Sequence, residues 1–159
     1  MAYGEYYHQK QGIKKEEIHL PILNNILAPI GLRLEASSKK ENKELKIDYW
    51  GKFESGLIYA FDFKTSTKPW EGFCLTYKMN NTTKNTFDVG EKNIISIFLL
   101  EDIYSYGFLA KYLIKEWYNL NHPYLHLSKS ENDDSNFFVY PTSEILKEGI
   151  IKSYKTFNT

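Results

Sequence analysis

Arginine and cysteine are almost missing from this chain, and no apolar run in it is long enough to cross a bilayer. Arg33 is the single arginine among 20 cationic side chains, the rest being lysine, so contacts to phosphate fall to point charges and not to bidentate guanidinium forks. Cys74 stands alone, which excludes an intrachain disulfide and a zinc site built from cysteines, and points to a reducing compartment. The longest apolar stretch, Ile94 to Leu100, is interrupted by Ser96 and falls far short of a membrane span. Met1 to Glu5 lacks the charged and apolar regions of a signal peptide, so the expectation is a cytoplasmic protein without a membrane partner. Net charge is absent as well, 20 cations against 20 acids, which removes the global signature of a nucleic-acid binder but leaves room for local basic patches. No glycine-rich phosphate loop of P-loop or dinucleotide type is present.

What remains is a chain of 159 residues with 26 aromatic side chains. At this length about two thirds of the unfolded surface is buried on folding, enough for one core without staples, so residues 1–159 are expected to form a single domain. Polar stretches at Glu35 to Glu44, Met79 to Asn93 and Ser128 to Asn136 separate segments with readable periodicity. Ile13, Leu20, Leu23 and Leu27 share one side of a helical wheel, predicting a helix from about Lys14 to Leu27 that Pro21 kinks or restarts and Pro29 ends. Glu16 projects near the centre of that apolar stripe and Glu17 lies on its flank. Alternation predicts strands at Leu32 to Ala36, Leu45 to Phe53, Leu57 to Thr65, Gly72 to Lys78 and Ile94 to Leu100. Tyr104 to Tyr118 reads as a helix, Tyr124 to Leu127 and Phe137 to Tyr140 as short strands, and a last helix begins at Pro141-Thr142 with the threonine hydroxyl as its cap. The pattern is that of a mixed α/β domain.

The chemistry concentrates in Lys46 to Thr65. Glu54-Ser55-Gly56 makes a three-residue hairpin loop with glycine at the left-handed position, and that loop sets residues whose numbers sum to 110 opposite one another. Asp48 then faces Asp62. Carboxylates so opposed have Cβ atoms about 4.5 to 5.5 Å apart and destabilise a sheet unless something positive lies between them. A divalent metal is the economical solution, because Mg²⁺ binds through one or two carboxylates and takes water and phosphate oxygens as its other ligands. Lys64, on the same strand face as Asp62, is placed to hold or deprotonate a water or to stabilise charge growing on a phosphate.

The segment Ala60-Phe61-Asp62-Phe63-Lys64-Thr65, with Asp48 before it, resembles the PD-(D/E)XK superfamily of restriction-endonuclease-like nucleases. In that family an acid near the start of one strand and a D/E-x-K on the next surround one or two metal ions, and a glutamate on the preceding helix often joins them. The resemblance covers about twenty residues of motif and the helix before it, with Ile47 where the family often has proline. It implies a restriction-endonuclease-like core, a central mixed β-sheet flanked by helices. The helix expected after the D/E-x-K strand is not readable in Ser66 to Asn93, so residues at about 65–93 are expected to be a polar insertion facing the groove. The implied activity is Mg²⁺-dependent hydrolysis of DNA phosphodiesters, with Mn²⁺ as substitute. Asp48 and Asp62 would ligate the metal with the Phe63 carbonyl, Lys64 would handle the water, and Glu16 or Glu17 would complete the site.

Two lysine-rich segments flank this motif, Lys39 to Lys46 and Lys64 to Lys92, each with a net charge of +2. Lys39, Lys40, Lys43, Lys68, Lys78 and Lys84 are therefore the expected DNA-backbone contacts. So small a nuclease needs a homodimer or a partner protein to cut both strands. The competing expectation is a non-catalytic binding or assembly module in which lysines satisfy the acid pair. His122 and His126 lack a further ligand, the acids of Glu131 to Asp134 read as a solvated turn, and Cys74 reads as a buried small side chain.

Overall fold

A computed structural model describes residues 3–45, 47–65, 72–78, 94–121, 128–129 and 136–155. Helix α1 runs over Tyr3–Leu27, longer than its periodicity announced, and Pro21 sits inside it without ending it. A single 3-10 turn, Ala28–Ile30, closes on Gly31 in the left-handed region at φ 72°, turning the chain into strand β1, Leu32–Ala36. A short helix α2, Lys39–Leu45, follows, then the hairpin β2, Tyr49–Phe53, and β3, Ile58–Lys64. The remaining elements are β4 (Gly72–Lys78), β5 (Ile94–Leu100), β6 (Ser105–Ala110), α3 (Lys111–Asn121), β7 (Ser128–Lys129), β8 (Asn136–Pro141), α4 (Thr142–Glu148) and β9 (Ile150–Ser153).

Six strands form a mixed sheet in the order β1-β2-β3-β5-β6-β9, in which only the β3–β5 contact is parallel. A second sheet has the order β4-β8-β7. Parallel neighbours need a long crossover. Here β4, which pairs with β8 in the second sheet, lies within that crossover.

Both faces of the large sheet are covered. On one, Leu23, Ile26 and Leu27 of α1 pack on Leu34, Tyr49, Phe61, Phe63, Ile97 and Leu99. On the other, Phe98, Leu100 and Leu109 meet Phe73 and Leu75 of β4, Phe138 and Tyr140 of β8, and residues of α3 and α4. Double coverage explains why β5 is apolar at every position but Ser96, since its odd and even residues enter different cores.

The same double coverage corrects one expectation. Tyr104 to Ala110 is not helical: Tyr104 adopts φ 49° after a 3-10 turn, and Ser105 to Ala110 pairs antiparallel with β5. Tyr106 enters one core and Leu109 the other, so burial erased the alternation that marks a strand. The last helix begins where expected, yet Pro141 occupies its N-cap and no side chain caps it, so the Thr142 hydroxyl does not play that part. Cys74 is exposed on β4 and not buried. The short strand expected at Tyr124 to Leu127, His122, His126 and the acids of 131–134 lie outside the described residues.

Candidate metal and phosphate site

The hairpin fixes the geometry first. Gly56 at φ 95° closes the three-residue loop, with its N–H donating to the Phe53 carbonyl at 2.9 Å. The ladder then pairs Lys52 with Ile58, Gly51 with Tyr59, Trp50 with Ala60 and Tyr49 with Phe61, the register expected from the loop. It stops one step short of the two aspartates. Asp48 N–H donates to the Phe61 carbonyl at 2.9 Å, so the chain leaves the ladder there and the Asp48 side chain turns back toward β3.

Two donors seize that side chain. Asp48 Oδ2 accepts the backbone N–H of Phe63 at 2.6 Å, and Oδ1 accepts the Asn42 side-chain amide. Phe63 thus enters the site through its amide, while its ring packs in the core beneath α1. Asp62, on the β3 face opposite Phe61 and Phe63, is only 5% exposed. Its Oδ2 lies 3.4 Å from Lys64 Nζ, and its Oδ1 is buried with no hydrogen-bond partner. Lys64 itself is partly open to solvent.

Helix α1 supplies the third carboxyl. Tyr49, buried under the helix, donates its hydroxyl to the Glu16 carbonyl at 2.6 Å, pinning the turn that carries Glu16 over the end of β2. Burial, the Asp48 charge and a hydrogen bond to Asp48 push the Glu16 carboxyl up to about 8, so at neutral pH Glu16 carries a proton and donates it to Asp48. Burial also raises Asp48, against the Phe63 N–H, which favours its ionised form. The Asp62 charge raises the Lys64 ammonium, burial opposes it, and Asp48 and Glu16 add to the rise. Glu16, Asp48, Asp62 and Lys64 therefore form one electrostatic unit.

Of the two helix candidates, Glu16 faces Asp48. Glu17 is exposed, and its charge is the weakest of the influences on Glu16, so it is not among the groups gathered at the site. Adjacent residues on a helix point about 100° apart, and Pro21 leaves the helix continuous, so only one of the pair can aim at the sheet. Lys39 and Lys40 are exposed on α2, beside Asn42. Lys43 lies on α2 and Lys78 on β4, while Lys68 and Lys84 fall outside the described residues.

Helix α2 is the element the sequence reading passed over, treating Glu35 to Glu44 as a polar break. It carried a signal, Ser38-x-x-Glu41. Ser38 N–H donates to Glu41 Oε1 at 2.9 Å and Glu41 N–H donates to Ser38 Oγ at 3.1 Å, a reciprocal capping box. The helix is then fastened to β2, with Trp50 Nε1–H donating to Glu41 Oε2 at 2.8 Å.

A divalent cation is the group this donor set suits. Carboxylate oxygens are hard ligands, one buried Asp62 oxygen has no donor, and acids outnumber the lone cation Lys64. Among the described residues no three His, Cys, Asp or Glu side chains are arranged to hold a metal together. An ion of the Mg²⁺ kind asks for no closed protein cage, since one or two carboxylates with water and phosphate complete its shell. Among the described residues no helix is long and apolar enough to cross a membrane. Compared with protein-family models, curated proteins and solved structures, the chain matches none.

Proposed function

We propose that this protein is a metal-dependent nuclease of the PD-(D/E)XK, restriction-endonuclease-like type, hydrolysing DNA phosphodiester bonds. The observation that carries the reading is Asp62 Oδ1, a buried carboxylate oxygen without a partner, set beside Asp48 and followed by Lys64. Leaving such an oxygen unsatisfied costs about 1 to 3 kcal/mol, a cost that a ligand-binding role explains and a purely structural role does not. Support also comes from chain order. A helix bearing Glu16 precedes, with β1 and α2 between, a strand preceded by Asp48 and a next strand bearing Asp62-x-Lys64, an order compatible with the family pattern.

In this reading Asp48 and Asp62 hold Mg²⁺, which when bound supplies a polarised phosphate and an acidified water. Lys64 Nζ, 3.4 Å from Asp62 Oδ2, reaches the same place and holds the attacking water or steadies charge on the phosphate oxygens. Glu16, facing Asp48 from α1, would hold a second metal or a water. Lys39 and Lys40 on α2 track the DNA backbone. A second copy or a partner protein is required for cutting both strands.

The alternative is a non-catalytic module, favoured by the fact that Lys64 already pairs with Asp62. Cleavage of a panel of single-stranded, duplex and branched DNA, in Mg²⁺ and in chelator, distinguishes the two. The nuclease reading expects metal-dependent cutting by the wild type and its loss in Asp62→Ala and Lys64→Ala. Equal activity in all three proteins removes the site from the chemistry, and no cutting of any substrate favours the module.

A further inference from the structure

Asp48 is the least conventional carboxylate of the cluster, because it lies beyond the last ladder pair: its backbone is held by the Phe61 carbonyl and the Ser37 N–H, but no cross-strand partner sets its side chain. Its orientation rests on side-chain and backbone donors instead. Phe63 N–H holds one oxygen, the Asn42 amide holds the other, and the Glu16 carboxyl adds a hydrogen bond from α1. Phe63 is rigid within β3. Asn42 arrives from α2, an element whose own placement depends on the Ser38 and Glu41 box and on Trp50.

We infer that Asn42 is a positioning residue, which holds the Asp48 carboxylate in the orientation that binds the cation and thereby ties the lysine-bearing helix α2 to the metal site. The inference rests on the nuclease reading above and names how that site is kept in shape.

Little besides Asp48 depends on the Asn42 amide. Asn42 Nδ2 also approaches the Ile47 carbonyl at 3.3 Å, but Ser37 Oγ donates to that same carbonyl at 2.5 Å, so Ile47 keeps a partner when Asn42 is lost. The helix capping bonds involve Ser38 and Glu41 and not the Asn42 side chain. Asn42 is moreover exposed, so truncating it empties no core. The one group deprived is Asp48 Oδ1. Donors that orient a ligating carboxylate are worth about 10- to 100-fold in metal affinity or activity when removed.

The second consequence concerns α2. Lys39 and Lys40 sit on the helix whose Asn42 grips Asp48, so a phosphate backbone held by these lysines and a cation held by Asp48 share one rigid link of a few residues. Substrate binding and metal binding should therefore reinforce each other.

The test compares wild type, Asn42→Leu, which keeps the branched outline of the side chain but has no donor, and Asn42→Gln, which keeps the amide. Mn²⁺ binding to the protein without DNA is read by paramagnetic resonance, thermal stability is read in chelator, and Mg²⁺-dependent cleavage supplies kcat and KM. Expected is a loss of about 10- to 100-fold in Mn²⁺ affinity for Asn42→Leu, a matching fall in kcat, an unchanged melting temperature, and recovery of most of the affinity in Asn42→Gln. Wild-type Mn²⁺ affinity in Asn42→Leu overturns the inference, as does a parallel loss of stability in both variants. An Asp62→Ala control separates the two levels. If Asp62→Ala loses Mn²⁺ binding and Asn42→Leu does not, the positioning role fails and the nuclease reading stands. If wild type binds no Mn²⁺ and cuts nothing, both fall.

Discussion

Phe63 N–H donates to Asp48 Oδ2 at 2.6 Å, doing for β3 what a strand neighbour would have done had β2 begun two residues earlier, with Ile47 opposite Phe63. The bond ties the two halves of the motif together, since Phe63 is the residue between Asp62 and Lys64. A carboxylate that replaces a ladder acceptor also escapes the strict cross-strand geometry. Asp48 and Asp62 are therefore neighbours that feel each other's charge without being forced into the opposed pairing of an unbroken ladder.

Removing the charge of Asp62 should stabilise the metal-free protein. Asp62→Asn keeps the shape, removes the buried charge whose Oδ1 has no partner and reduces repulsion with Asp48, at the expense of the ion pair with Lys64. A gain of about 1 kcal/mol corresponds to a rise of about 2 to 4 °C in melting temperature for a chain of this size, measured in chelator. Mg²⁺-dependent cleavage should be lost in the same variant. A lower melting temperature would show that Asp62 is a structural ion-pair partner of Lys64.

Stability should fall as pH rises through the neutral range. Glu16 ionises near its ordinary value when unfolded but holds its proton to about 8 when folded. Between those limits the native state binds the extra proton, so raising pH favours unfolding and lowering it favours the fold. The Asp48 shift has the same sign. Melting temperature followed from pH 5 to about 8.5 should decline in wild type and decline less in Glu16→Gln; parallel curves would mean that Glu16 titrates elsewhere.

Gly51 is required by close approach. A Cβ there would lie 2.4 Å from Phe61 Cε2 and 3.0 Å from Leu32 Cδ1, inside the core under α1. Gly51→Ala should cost about 1 to 3 kcal/mol, read as a lower urea midpoint at constant slope. An unchanged midpoint would show that the Phe61 ring can move aside freely.

The lysines of α2 should contribute charge and no sequence preference. Lys39→Ala combined with Lys40→Ala should lower the slope of log affinity against log salt by about two for duplex DNA, while leaving the cleavage rate at saturating DNA unchanged. A salt slope identical to wild type would place the DNA away from α2.

Much of the fold was legible where one physical rule dominated. The Glu54-Ser55-Gly56 loop announced its register because glycine at a positive φ admits few alternatives, and β5 announced its bounds because burial on both faces demands a nearly continuous apolar run, broken only by Ser96. The same burial hid β6, whose Tyr106 and Leu109 serve opposite cores and mimic helical spacing. Helix α2 was hidden for another reason: at seven residues it has no apolar stripe of its own and depends on Trp50 and Asp48 for its place. Turn geometry brought Asp48 near Asp62, but through a carboxylate outside the ladder and not through the opposed pairing expected. The choice of Glu16 over Glu17 needed the tertiary contact of α1 with Tyr49, and Asn42 carried no chemical motif that would have singled it out.

Nicking of supercoiled plasmid DNA in Mg²⁺, timed side by side for wild type and Asp62→Ala, tests the proposed chemistry most directly. The assigned site predicts nicking that chelator stops and that Asp62→Ala slows by at least about 100-fold, the scale of losing an essential charge-stabilising group. Nicking at the wild-type rate by Asp62→Ala would contradict it.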